Sequence, residues 1–202
     1  MSQDAALTAG VLAGVLLIAV AFYLYNRSDD KIDTGTWVIL AVGDSLDFGS
    51  YFLMTGQDWL KNAIPFAFAV GSIMTFANAV RKRRFSFPDA PDIFIILIDL
   101  LIMVWWLYYG SMTSTEANLA YQFTTVLAFL PMYRSLAKRK LTEKVAPWAL
   151  WTSAYVLFFL VHALSDGSWE EGVYPVVGML THVLVLGFAL QTRLELRQLL
   201  KF

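Results

Sequence analysis

Seven apolar runs, each about as long as a membrane-crossing helix, alternate with short polar turns along the chain. The hydrocarbon core of a bilayer takes about 20 apolar residues as a helix. On that measure the sequence predicts spans at 5–25, 34–55, 63–80, 93–110, 117–133, 146–164 and 173–192. The turns between them, such as 26–30, 81–84 and 166–172, are too short to fold as a separate domain. The expected fold class is all-α, a polytopic membrane protein of seven transmembrane helices forming one domain over 1–202.

The signs of charge separate along this pattern. Arg27 and Lys31 follow the first span, Arg81 to Arg84 the third, Arg134 to Lys144 the fifth, and Arg193, Arg197 and Lys201 the seventh. Lys61 alone falls on the opposite side. Because Lys and Arg near span ends resist translocation, the amino terminus is expected outside and the carboxyl terminus in the cytoplasm. The first ten residues hold Asp4 and no basic residue, the wrong charge for a signal peptide, so the first run is expected to be a mature helix. Asn26-Arg27-Ser28 spells a glycosylation sequon on the cytoplasmic side and carries no weight. Composition agrees: of 202 residues 58% are hydrophobic and only 15% charged, against about 25% charged in soluble domains. With a net charge of -1 and no cysteine, nothing points to nucleic acid, a disulfide or a thiolate site.

An internal repeat is visible. A shift of 111 pairs Trp37 with Trp148, Leu46 with Leu157, Phe48 with Phe159, Leu53 with Leu164 and Gly56 with Gly167, and a shift of 110 pairs Pro65 with Pro175. A displacement of four spans keeps direction, so 5–80 and 117–192 would be parallel repeats with 93–110 as an inverting linker. That 3+1+3 layout resembles the SWEET and PQ-loop superfamily of small seven-helix transporters. Leu130-Pro131-Met132-Tyr133 and the basic stretch after it are similar to a PQ-loop helix end, with Met132 where that family has glutamine. Trp106-Leu107-Tyr108-Tyr109-Gly110 is similar to a Trp-x-x-Tyr-Gly helix ending of the same superfamily, but favours a register in which the third to fifth spans form one unit. The chain also resembles small uncharacterised bacterial membrane proteins. These resemblances imply a transporter fold in a cell membrane, the inner membrane of a prokaryote, and carry over no site residue.

An ionisable group at bilayer depth costs about 2.5 to 3.5 kcal/mol on the insertion scale, so Asp44, Asp47, Asp99, His162 and His182 need a reason. Asp44 and Asp47 share a helical face, where two nearby carboxylates do not readily both ionise. They are read as a proton-coupling or cation site, or else as a buried pair that fixes packing. Asp92, Asp99 and Trp106 lie seven apart on one stripe, with Asp92 near the interface and Asp99 near the centre. His182, central in the last span, suits a proton relay or a helix-joining hydrogen bond. Asn118, Gln122, Trp151, Tyr155 and His162 are the candidate solute contacts, although His162 also fits a solvated position beside the acidic outer loop. Pro65, Pro131 and Pro175 are candidate hinges, Pro65 and Pro175 fitting equally a harmless first turn.

Two other signals fail and a third is weak. Gly43-Asp44-Ser45-Leu46 matches the start of a GDSL hydrolase signature but lies within an apolar run, with no Asp-x-x-His downstream. Retinal needs a lysine that the last span lacks. A metal hydrolase needs several ligands, usually with two or three histidines, and the chain has two. The reading is a non-enzymatic transporter or facilitator of a small polar solute, a sugar, nucleoside, amino acid or organic acid, proton-coupled through Asp44, Asp47, Asp99 and His182. No cofactor is expected, the partners are the bilayer and the solute, and a homo-oligomer is compatible. The alternatives are a non-transporting sensor or assembly protein and an intramembrane metal hydrolase.

Overall fold

The computed structural model describes residues 3–27, 34–82, 88–138, 143–165 and 167–199. These form an all-α bundle: α1 Gln3–Arg27, α2 Thr34–Met54, α3 Trp59–Arg81, α4 Ala90–Tyr109, a 3-10 turn Gly110–Thr113, α5 Ser114–Ala128, α6 Leu130–Ala137, α7 Val145–Ala163 and α8 Trp169–Leu199. Of the basic residues used to orient the chain, Lys31, Arg83, Arg84, Arg139, Lys140 and Lys201 lie outside the described residues. So do 28–30, 141–142 and Asp166.

Six of these helices are long and apolar enough to cross a membrane: α1, α3, α4, α7, Gly35–Met54 of α2 and Trp169–Glu195 of α8. The fifth predicted span departs from one continuous helix. α5 stops at Ala128 and α6 begins at Leu130, because Pro131 has no N–H to give and its ring crowds the carbonyl four residues earlier. Pro65 and Pro175, by contrast, lie beyond the first turn of helices that continue through them.

Side-chain contacts fix the directions. Asn26 Nδ2 bonds Thr75 Oγ1 at 2.9 Å, so α1 and α3 end together, and Gln3 Nε2 reaches the Leu164 carbonyl at 2.8 Å, so α1 and α7 are antiparallel. Helices in lipid have no hydrophobic force between them and associate through close packing at small residues. The stripe predicted on α4 lies against glycines of α2: a Cβ at Gly35 would meet Asp92, at Gly43 Asp99, and at Gly49 Trp106. Asp92 also completes a capping box with Asp89.

The distribution of polarity is inverted relative to a water-soluble domain. Asp44, Asp47, Asp99, Asn118, Gln122 and His182 are buried, while Leu12, Met74, Leu101, Leu107 and Phe123 are each more than 60% exposed. An outer surface this apolar suits lipid and not water.

Candidate functional site

The two buried carboxyl groups of α2, Asp44 and Asp47, have different surroundings. Asp47 faces α5, where Gln122 Nε2 donates to both of its carboxyl oxygens at 2.7 Å and Asn118 Nδ2 donates to Oδ1. Ser50 Oγ closes onto the Asp47 carbonyl at 3.0 Å. Asn118 and Gln122 are one turn apart on α5, so both amides reach the same carboxyl. The amide nitrogens read from sequence as solute contacts are thus committed to Asp47, and together they clasp α2 to α5.

Asp44, one turn away, has a different partner. Ser72 of α3 donates its hydroxyl to Asp44 Oδ2. Asp44 and Asp47 are therefore held by separate helices and do not share a hydrogen bond. Asp99 of α4 lies behind Gly43 of α2. The Tyr121 hydroxyl and Asn118 Oδ1 are buried without a hydrogen-bond partner.

Asp44 and Ser72 open onto a small cavity at the centre of the bundle. Its volume is about 10 Å³, the room of one water molecule. Around it stand Phe22 of α1, Trp37, Leu40 and Asp44 of α2, and Phe68 and Ser72 of α3; from the other half of the chain come Thr125 and Phe129, Trp148, Trp151 and Tyr155 of α7, and His182 of α8. The rings are packed against one another: Phe68 stacks on Tyr155 at 4.4 Å between centroids, and Trp148 meets Trp151 at 4.8 Å. His182 lies 4.9 Å from the Tyr155 ring and 5.3 Å from those of Phe129 and Trp148. Its Nδ1 is 2.8 Å from the Gly178 carbonyl. A carbonyl only accepts, so Nδ1 carries the hydrogen and Nε2 is the nitrogen left over.

Hydrogen bonds join the helices toward both ends of the bundle. Toward the start of α3 and α8, Lys61 Nζ and Glu171 Oε2 form an ion pair at 2.8 Å, and the Tyr51 hydroxyl donates to the Glu171 carbonyl at 3.4 Å. Pro175 cannot donate to that carbonyl, so it is free to accept from Tyr51. Beneath them Tyr51, Phe158 and Tyr174 pack with centroids 5.2 to 6.0 Å apart. At the opposite end Trp37 Nε1 donates to the Tyr25 hydroxyl at 3.0 Å, Tyr25 to Glu143 at 3.2 Å, and Trp148 Nε1 to Glu143 at 2.8 Å.

No family model, curated protein or solved structure matches this chain. Function has to be read from the site itself.

Of the residues singled out in the sequence, Asp44, Trp151, Tyr155 and His182 converge on the cavity. Asp47, Asn118 and Gln122 form the neighbouring clasp, and Asp99 lies on the far side of α2. His162 stands apart at the end of α7, where its ring fills the space beside Gly167 and Gly172. Pro131 marks the break between α5 and α6. Among the described residues no group of three or more His, Asp or Glu side chains is placed to hold a metal ion. Sequence reasoning passed over Phe22, Phe68, Phe129 and the Lys61–Glu171 pair. A signal for two of these was present in the spacing, since the shift of 110 that carries Pro65 onto Pro175 also carries Lys61 onto Glu171.

Proposed function

We propose that this protein is a membrane transporter or facilitator of a small polar solute, with the central cavity as its solute site. The observation that carries the reading is how the cavity is lined. Shifts of 111 and 110 pair Trp37 with Trp148, Asp44 with Tyr155 and Ser72 with His182, and all six line the one cavity. A site on the axis between two repeats is the arrangement that alternating access requires, because rocking one repeat against the other opens first one side and then the other.

Helix packing supports the same assignment. Mapping α1, α2 and α3 onto α5, α7 and α8 turns the α1–α3, α2–α3 and α1–α7 contacts into α5–α8, α7–α8 and α5–α2, all of which are present. In this reading α4 is the inverting linker, the amino terminus is outside, and the Lys61–Glu171 pair closes the outer end. A water-sized cavity, with hydrogen bonds joining the helices toward both ends of the bundle, fits the occluded stage of such a cycle. Asp44 and His182, facing the cavity, and Asp99, behind Gly43, are the groups through which a proton would be coupled, and Asp47 secures the helix that carries Asp44.

The test is solute counterflow into proteoliposomes, at about pH 5.5 and 7.5, with Asp44→Asn, Asp47→Asn and Asp99→Asn alongside the native chain. Accumulation that depends on pH, and loses that dependence in Asp44→Asn while the variant still inserts, is the expected result. No flux with sugars, nucleosides, amino acids, organic acids or organic cations would reject the transport reading.

A further inference from the structure

The chemistry of the cavity wall narrows the solute class. Asp44 is the one carboxylate lining it, and no Lys or Arg side chain is among the lining residues. Its polar groups include two acceptors that a solute could reach, one on Asp44 and one on His182. Asp44 receives the Ser72 hydroxyl on Oδ2, and with Nδ1 of His182 held by the Gly178 carbonyl, Nε2 accepts when the ring is neutral. The remaining wall is aromatic, with Trp151 at the centre of a cluster that includes Phe22, 4.9 Å away, and Trp37, 5.9 Å away. The Trp151 indole N–H is buried without a partner.

A carboxylate, an imidazole acceptor and aromatic faces around one small space complement positive charge carried on N–H groups. The carboxylate supplies the counter-charge, the acceptors take the N–H donors, and the ring faces attract a cation through their quadrupoles. An anion would meet Asp44 with no basic side chain to offset it, and a neutral solute would leave that carboxylate without a counter-charge.

Resting on the transporter reading above for the role of this cavity, we infer that its solute is a small organic cation bearing N–H donors, of the guanidinium or alkylammonium class. The cavity must widen to admit it, which assigns solute entry to the same separation of helices that opens the path. Asp44 is the counter-ion, and Trp148, Trp151 and Tyr155 are the walls.

The experiment is equilibrium dialysis of radiolabelled guanidinium against the full chain in lipid nanodiscs at about pH 7.5, with radiolabelled urea as a neutral probe of nearly the same shape. Saturable guanidinium binding at least about tenfold tighter than urea is expected, displaced by n-propylammonium and not by n-propanol. Asp44→Asn should weaken it by about tenfold or more, and Trp151→Phe, which keeps a ring, by much less. The displacement arm uses only the native chain, so the inference stays testable if a variant fails to fold. Equal binding of urea and guanidinium, or full guanidinium binding by folded Asp44→Asn, overturns it. Counterflow of a neutral or anionic solute without guanidinium binding overturns the cation class and leaves transport standing. Guanidinium binding with no counterflow of any solute upholds the site and removes the transport reading.

Discussion

Lys61 and Glu171 pair across the bundle at 2.8 Å, and each stands four residues before a proline inside its own helix. Proline at that distance removes the N–H that would hold each of these residues' carbonyls. The first turns of α3 and α8 are thus less tied to their own helices and tied instead to each other. Asp58 caps α3 by accepting from Leu60 N at 2.8 Å, which keeps Lys61 in register with its partner.

Breaking this pair should loosen one end of the bundle without unfolding it. The side chains are 24% and 11% exposed, so the pair is partly screened, and Lys61→Met is expected to lower stability by about 1 kcal/mol. Amide hydrogen exchange should speed up selectively in the first turns of α3 and α8. Unchanged protection there would mean that the ion pair does not hold the two ends together.

The Asp47 clasp should be the more demanding contact. Gln122→Leu removes the donor to both carboxyl oxygens and leaves a buried acceptor in an apolar setting, expected to destabilise by about 1.5 to 3 kcal/mol. Phe123→Leu, at the adjacent and exposed position, should stay within about 0.5 kcal/mol. Denaturant titration in detergent compares the two; equal losses would show that Gln122 contributes no more than its exposed neighbour.

Two glycines of α8 offer a paired test of packing. A Cβ on Gly178 would stand 2.1 Å from the Tyr155 ring, whereas Gly187 has nothing within 4 Å. Gly178→Ala is expected to push Tyr155 from its place on Phe68 and lower stability by about 1 to 3 kcal/mol. Gly187→Ala should be neutral or stabilise by up to about 1 kcal/mol, the helix propensity difference. The thermal midpoints of the two variants decide it.

Pro131 is the proline at which a helix path is broken. Pro131→Ala restores an N–H that can reach the Leu127 carbonyl and should let α5 run into α6. On the proposed transporter reading, if the break is a hinge, counterflow slows several-fold while solute binding is unchanged. Flux equal to that of the native chain would show that the break is only structural.

The sequence displayed the candidate site unevenly. Asp44, Asp47, Asp99 and His182 stood out because a titratable residue within an apolar run is conspicuous whatever surrounds it. Their partners were not legible. Asp44 and Asp47 share one helical face in any linear reading, yet they meet Ser72 of α3 and Gln122 of α5, because that face is wide enough to touch two neighbouring helices. Trp151 and Tyr155 were visible as an aromatic stripe, but nothing along the chain says that Phe22, Phe68 and Phe129 complete the same wall.

Sequence by itself determined the apolar helices, since span length and hydrophobicity are local properties of consecutive residues. Only the tertiary structure decided the break at Phe129, the commitment of Asn118 and Gln122 to Asp47, and the meeting of Asp44 with His182 in one cavity. The clasp, for one, joins residues 71 and 75 positions apart. How each helix is rotated about its own axis is set by packing against its neighbours, and that rotation decides which polar side chains meet.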